Sequence, residues 1–324
     1  MQNRILLLSD HPDDATLLAE AAGVSGSAFE VARTVKEVVE QVSKQAVSAV
    51  FIDVTKIERL RELESSFQET IGLFSDQIKP NLIYMLSERE LSQTRDVVLS
   101  PLFSTFYQRP VHEIGLNGRF FGRFLKVAHK GIRQDLTDYL GELAEVQKIE
   151  LNHTSQKQEA VEAVRQYLIA AKIPARISNM IGNAVDELLM NAMFDAPSDD
   201  FGKQLYSSTA RTQERELIDR EKVQMSIGFD GFYVGVSVAD QFGSIDRQRL
   251  LNLVSANYKE SDYTVKTAQA GAGLGLATVY NCGATLIYNC ELRQRTESTL
   301  LYRAYPTYRE FKSQPKFFSA RFHV

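Results

Sequence analysis

The chain has 324 residues, 44% of them apolar and 24% charged, with a formal net charge of −4. That length allows two ordinary domains, the balance is that of a folded globular protein, and the mild acidity does not indicate a strongly basic nucleic-acid surface overall. Cys282 and Cys290 form no C-x-x-C, and no second pair exists to complete a zinc site, so they read as reduced thiols of a cytoplasmic protein.

The opening MQNRILLLSD carries an apolar stretch too short for a signal peptide, and no run approaches the roughly 20 apolar residues of a membrane span. RILLLS, FEVART, AVFID, NLIYML and FSTFY then read as strands. They alternate with amphipathic stretches such as 14–22 and 35–42, a pattern that predicts a doubly wound, five-stranded parallel sheet. Such sheets gather their chemistry at the carboxyl ends of the strands, which here carry Ser9, Asp10, Asp53, Ser87 and Arg109 before Pro110. One long helical pattern follows over 111–143. Arg119, Arg123, Lys126, Lys130 and Arg133 lie along it as a solvated face, or as the face of a dimer or interdomain helix.

A second unit begins near Val146. VQKIEL reads as a strand, 156–171 and 175–194 as helices, and 197–221 as a polar insertion. VQMSIGFD and FYVGVSVAD form a hairpin turning at Asp230-Gly231, and ATLIYNCEL and STLLYRAY close the unit as strands. Helices clustered in sequence and followed by antiparallel strands predict an α/β sandwich. The tail, 306–324, reads as an edge strand, a docking segment or a disordered end. The expected boundaries are 1–118 for the first domain, 119–145 for a helical linker, 146–306 for the second domain and 307–324 for the tail.

Three segments of the second unit carry the chemistry. In AVDELLMNAMFDAP, Asn183, Glu187, Asn191 and Asp195 recur every four residues and share one helix face, apart from the apolar face of Ile177, Ile181, Ala184, Leu188 and Ala192. In SVADQFG a strand runs into Asp240 and a turn at Gly243. In GAGLGL, Gly271, Gly273 and Gly275 free the backbone to approach an anion at the start of a helix. Each alone is weak: a polar stripe, a turn acid, a glycine cluster that is neither G-x-G-x-x-G nor a P-loop.

Their order and spacing resemble the N, G1 and G2 boxes of the GHKL ATPase superfamily, over about 146–306. The resemblance implies a Bergerat fold binding ATP and Mg²⁺. Asn191 holds the metal, Asp240 meets the adenine amine, Gly243 shapes the turn after it, and Gly271, Gly273 and Gly275 border the phosphates. A lid spans 257–270, and Thr299 supports the adenine contact. Phe242 and Ser244 stand where the family's G1 pattern has glycines. Within the superfamily the layout is similar to anti-sigma-factor serine kinases, in which a glutamate at the position of Glu187 acts as base on a protein hydroxyl. The family often has a histidine where Asp195 stands. None of the five histidines carries the phosphoacceptor pattern of a histidine kinase; His129, on the long helix, is the one candidate for that alternative.

Residues 1–110 resemble a response-regulator receiver domain. The resemblance implies Asp53 as phosphoacceptor, Asp10 and Asp53 as Mg²⁺ ligands, and Ser87 and Arg109 as the switch pair, with Ser9 and Arg109 replacing the usual acid and lysine. Two readings stay open, a phosphorylated receiver and a pseudo-receiver that docks or dimerises. The expected protein is a cytoplasmic signalling kinase for Ser or Thr of a protein partner such as an anti-sigma antagonist or sigma factor. It contacts neither nucleic acid nor membrane directly and is compatible with a homodimer. The other function readings are a nucleotide-gated binding protein without catalysis, or a hybrid histidine kinase.

Overall fold

In the computed structural model the described residues are 2–44, 47–71, 81–131, 133–141, 144–206, 208–255, 275, 279–280 and 285–323. They fall into two compact units, Met1–Gln134 and Asp135–Val324.

The first unit alternates strands and helices: β1 (Arg4–Leu8), α1 (Pro12–Ser25), β2 (Ala28–Val31), α2 (Val35–Lys44), β3 (Ala49–Asp53), α3 (Ile57–Ile71), β4 (Ile83–Ser87), α4 (Arg95–Val98), β5 (Thr105–Gln108) and α5 (Ile114–Lys130). Its strands run parallel in the order β2-β1-β3-β4-β5. β1, β3 and β4 are apolar almost throughout because both faces of the sheet are covered. α1 ends on Gly26, which takes φ +68° and returns its N–H to Ala22 O.

The long helix expected over 111–143 is shorter and belongs to this unit rather than to a linker. It stops at Gly131, whose φ of +128° does not continue a helix. Gly118 and Gly122 let it lie directly on α1: a Cβ at either would stand 2.6 Å from the carbonyl oxygen of Leu17 or Ala21. Phe121 closes the core from α5, stacked on Tyr107 and edge-on to Phe51.

The second unit opens with the short helix α6 (Leu136–Leu140), started by a capping box of Asp135 and Asp138. β6 (Glu145–Leu151), α7 (Gln156–Ala170), α8 (Ala175–Met190), β7 (Val223–Phe229), β8 (Tyr233–Asp240), α9 (Arg247–Ser255), β9 (Thr285–Glu291) and β10 (Arg295–Arg303) follow. After a short helix, Tyr308–Ser313, the tail forms a strand as expected, β11 (Phe317–His323). The strand order within the unit is β11-β9-β10-β8-β7-β6, antiparallel except for β11 beside β9. Phe317 and Phe318 of β11 are fully buried, which is why an aromatic tail is held as a strand.

Opposite faces of this sheet carry different helices. Gly235 of β8 and Gly228 of β7 make room for Leu136 and Leu140 of α6. Side chains alternate along a strand, so Val238 and Asp240 point to the other face, where Leu188 of α8 lies.

Candidate functional site

α8 carries Glu187 and passes at its end into a π turn, Asn191–Asp195. The Ala196 N–H donates to Asn191 O at 2.8 Å, the i→i+5 bond of a widened turn. Such turns displace a side chain from regular helical register, and here the displaced ones are Asn191 to Asp195. Asn183, from the same stripe, is committed elsewhere: its Oδ1 accepts from Arg165 Nη2 at 3.1 Å.

Asp240 ends β8. Its Oδ1 accepts from the backbone N–H groups of Phe242 (2.8 Å) and Gly243 (3.3 Å). Gly243 is obligatory there, with φ +58°; a Cβ would fall 1.9 Å from Glu291 O. Ser244 Oγ, on the same turn, donates to Ala196 O at 2.7 Å and ties the turn to the end of α8. Burial pushes Asp240 up to about 6, against the pull of the backbone N–H groups of Phe242, Gly243 and Thr296 and of Arg295.

Between α8 and β8 lies a cleft of ≈ 120 Å³, lined by Asn191, Asp195 and Asp240 with Leu188, Val238 and Leu250. Asn191 Nδ2 is buried without a hydrogen-bond partner, and so is Glu187 Oε1 one turn earlier. Each of these atoms keeps hydrogen-bonding capacity that a ligand or a water could take up. Gly275, which is helical, comes so close to Glu187 that a Cβ on it would lie 1.7 Å from the carboxyl carbon. A side chain at that position would therefore have to displace the Glu187 carboxyl.

The segment 197–221 is more than an insertion. Gln204 Nε2 donates to Asp195 O at 2.8 Å, and Arg215 lies over the Tyr206 ring at 3.7 Å and pairs with Glu221 at 2.6 Å. So anchored, the segment brings Arg211 to the α8 stripe. Arg211 Nη2 bonds Asp195 Oδ2 at 3.0 Å, and Nη1 stands 3.9 Å from Glu187 Oε1. Burial raises the pKa of Glu187, opposed by Arg211 and assisted by Asp195 and Asp186. Burial also raises Asp195, against Arg211 and Arg249.

The donor set fits ATP with Mg²⁺: a side-chain amide oxygen and carboxylates suit a hard cation, and a buried carboxylate suits an exocyclic amine. One expected residue is placed otherwise. Thr299 is fully buried, but it shares its strand face with Leu301, which packs at Gly235 on the α6 side. Thr296, opposite Asp240 in register, and Ser298 are the β10 hydroxyls that line the cleft. A shift of one residue along a strand reverses the face, so a threonine misplaced by that parity cannot reach the site. Gly271, Gly273 and the expected lid lie outside the described residues.

In the first unit the expected residues do converge at the strand ends, but on an arginine. Arg109 Nε and Nη2 grip Asp14 Oδ1 and Oδ2, each at 2.7 Å. Its Nη2 also reaches Asp53 Oδ1 at 2.8 Å, and its Nη1 donates to Thr55 Oγ1 at 3.0 Å. Arg59 pairs with Asp10 and stands 3.8 Å from Asp53. Burial works to raise Asp53, but hydrogen bonds from Arg109 and Thr55 outweigh it and leave the carboxyl below its ordinary value. Ser87 is buried, its Oγ accepting from the Arg89 N–H at 3.1 Å. Asp14, Thr55 and Arg59 escaped the sequence reading. Asp14 in particular reads as a first-turn helix acid, and only its burial at 1% exposure betrays its role. Among the described residues, no three acidic, histidine or cysteine side chains are grouped so as to hold a metal ion. His129 lies on α5 with Nδ1 2.9 Å from Asn3 Nδ2, inside the first unit. Cys290 is a free, buried thiol. No helix among the described residues is long and apolar enough to cross a membrane.

No protein-family model matches the chain, and no curated protein matches it. Among solved structures, the chain is similar to a sensor protein from Polaromonas sp. JS666, with 18% identity over 39% of this chain and 99% of that one and a TM-score of 0.29. It is also similar to the SiaB–SiaC complex from Pseudomonas aeruginosa, with 18% identity over 47% of this chain and 88% of that one and a TM-score of 0.30.

Proposed function

We propose that the second unit is a GHKL-type module that binds ATP with Mg²⁺ and transfers a phosphoryl group to a Ser or Thr hydroxyl of a protein partner in a signalling pathway. The observation that carries the reading is a pair of buried, partnerless polar atoms, Asn191 Nδ2 at the cleft that Asp240 also lines and Glu187 Oε1 one turn earlier on α8. In this reading Asp240 accepts from the adenine amine, Asn191 takes the metal through its amide oxygen, and Gly275 borders the phosphate chain. ATP with its metal supplies the transferable phosphoryl group. Glu187 receives the proton of the attacking hydroxyl, a role that suits a carboxyl whose basicity burial raises.

For the first unit, whose strands run parallel in the order β2-β1-β3-β4-β5, we propose a pseudo-receiver. Where an acyl-phosphate site needs an open carboxylate and a metal, Asp53 is bonded to Arg109, and Asp14 is bound in a bidentate fork by the same guanidinium. The unit then serves as a docking module rather than as a phosphorylated switch.

Calorimetry of the full chain with Mg²⁺·ATP should show uptake that Asp240→Asn abolishes. Incubation with labelled ATP and cell extract should give an acid-stable label on a partner that disappears with Glu187→Gln. Binding without transfer would support instead a nucleotide-gated binding protein, and absence of binding removes the proposal. For the first unit, acetyl phosphate with Mg²⁺ should add no mass; a gain of one phosphoryl group that Asp53→Asn removes would make it a true receiver.

A further inference from the structure

Arg211 stands out among the cations near the α8 stripe. Lys157 is taken by Asp186, and Arg249 lines the cleft with Asp240. Arg211 comes from the 197–221 segment, outside the three motifs that define the nucleotide site. It shares one guanidinium between two carboxylates. Only Asp195 is within hydrogen-bond distance, at 3.0 Å, while Glu187 is left at 3.9 Å. Its side chain is 30% exposed, so the group can swing. On either side of it the segment is fastened to the end of α8 and the turn after it, Gln204 to Asp195 O and Arg215 to Met193 O.

The Glu187 carboxyl thus lies close both to the Gly275 backbone and to Arg211. A phosphate chain running along Gly275 would bring its outermost phosphate beside Glu187, and so within one side-chain swing of Arg211. We propose that Arg211 is a specificity-determining residue that leaves Asp195 to bind the terminal phosphate of a nucleoside triphosphate, so that the site distinguishes triphosphate from diphosphate. This rests on the nucleotide reading above. A guanidinium offers a phosphate two parallel N–H donors and gains a more highly charged partner than a carboxylate. A diphosphate ends one phosphate short and leaves Arg211 on Asp195.

The test is calorimetry on the full chain with Mg²⁺·AMP-PNP and with Mg²⁺·ADP. Wild type should prefer the triphosphate analogue by about tenfold or more, the factor expected of one charge-assisted pair. Arg211→Met should lose that preference while its ADP affinity stays within about twofold of wild type, the part of the site that Arg211 does not touch. Arg211→Lys, which keeps the charge without the fork, should retain a fraction of the preference and guards against a folding defect in the methionine variant. Equal weakening for both nucleotides, no change in either, or a wild type that binds the two alike overturns the role of Arg211 and leaves the nucleotide site standing. A wild-type chain that takes up neither nucleotide removes the site and Arg211's role together.

Discussion

The two units each gather acidic side chains beside arginines, and they balance them in opposite ways. In the first, Asp10, Asp14 and Asp53 meet Arg59 and Arg109. Nearly every donor has an acceptor, and Asp53 is held below its ordinary pKa. In the second, Glu187, Asp195 and Asp240 are all pushed upward by burial, one arginine spans two of them, and polar atoms on Glu187 and Asn191 are left without partners. A cluster that satisfies itself stabilises its fold and has little left to offer a ligand. A cluster left with an unused donor and an unused acceptor costs stability and gains it back when something binds.

The sharpest way to break this contrast is to remove the arginine from each. Arg109 is 5% exposed and Asp14 1%, so Arg109→Ala strands a buried carboxylate and should cost about 3–5 kcal/mol. Arg211 and Asp195 are 30% and 23% exposed, and Arg211→Ala should cost about 1 kcal/mol or less. Thermal melts of the full chain would show a large downward shift for the first variant and a small one for the second. Equal shifts would mean that the two clusters are not different in kind.

Asp240→Asn probes the cost carried by the second cluster alone. The folded carboxyl titrates at about 6, above the ordinary value of about 3.9. Between those values the folded chain keeps a proton that the unfolded chain has lost. Stability contributed by the group therefore falls as pH rises through this window, and above it the fold bears a buried charge worth on the order of 3 kcal/mol. The asparagine variant should be more stable than wild type at pH 8 by up to that amount, with the gain fading towards pH 4, when followed by urea titration. Wild-type affinity for Mg²⁺·ATP should drop below pH 6, as the acceptor for the adenine amine is protonated. A gain independent of pH would remove the buried charge as its cause.

How much of this was legible beforehand follows from the range over which each signal acts. Alternation and strand-end acids are local, so the parallel sheet could be read from five strands alternating with helices, the place of Asp53 from AVFID, and the strand-end place of Asp240 from SVADQFG. Arg109 was legible as a strand-end residue, but its partner Asp14 lies 95 positions away, and only folding makes the pair. Arg211 was hidden for the same reason, one base in a polar stretch whose target is fixed by the anchors of that stretch. The place of α5 depended on reading Gly118 and Gly122 as a packing face for another helix rather than reading only the charges between them. β11 pairs in parallel with a strand some thirty residues earlier, and parallel pairing leaves no turn signal in the sequence. Thr299 shows the smallest error with a full consequence, since one step of strand parity separates it from Ser298.

The least of the expected effects bears on the contact that joins the glycine-rich stretch to α8. An alanine at Gly275 would drive its Cβ to 1.7 Å from the Glu187 carboxyl carbon, but that carbon lies at the far end of a flexible side chain and can yield. Gly275→Ala should then cost about 1 kcal/mol, the strain of moving Glu187 offset in part by the better helix propensity of alanine. In a Glu187→Ala background the obstacle is gone, and the same substitution should stabilise by roughly 0.5–1 kcal/mol. The double-mutant cycle, read by urea unfolding, therefore has a coupling of about 1–2 kcal/mol. A coupling of zero would separate Gly275 from Glu187. The outermost phosphate would then have no reason to fall beside that carboxylate, and the second cluster would lose the neighbour that makes its unpaired oxygen a functional feature rather than a packing fault.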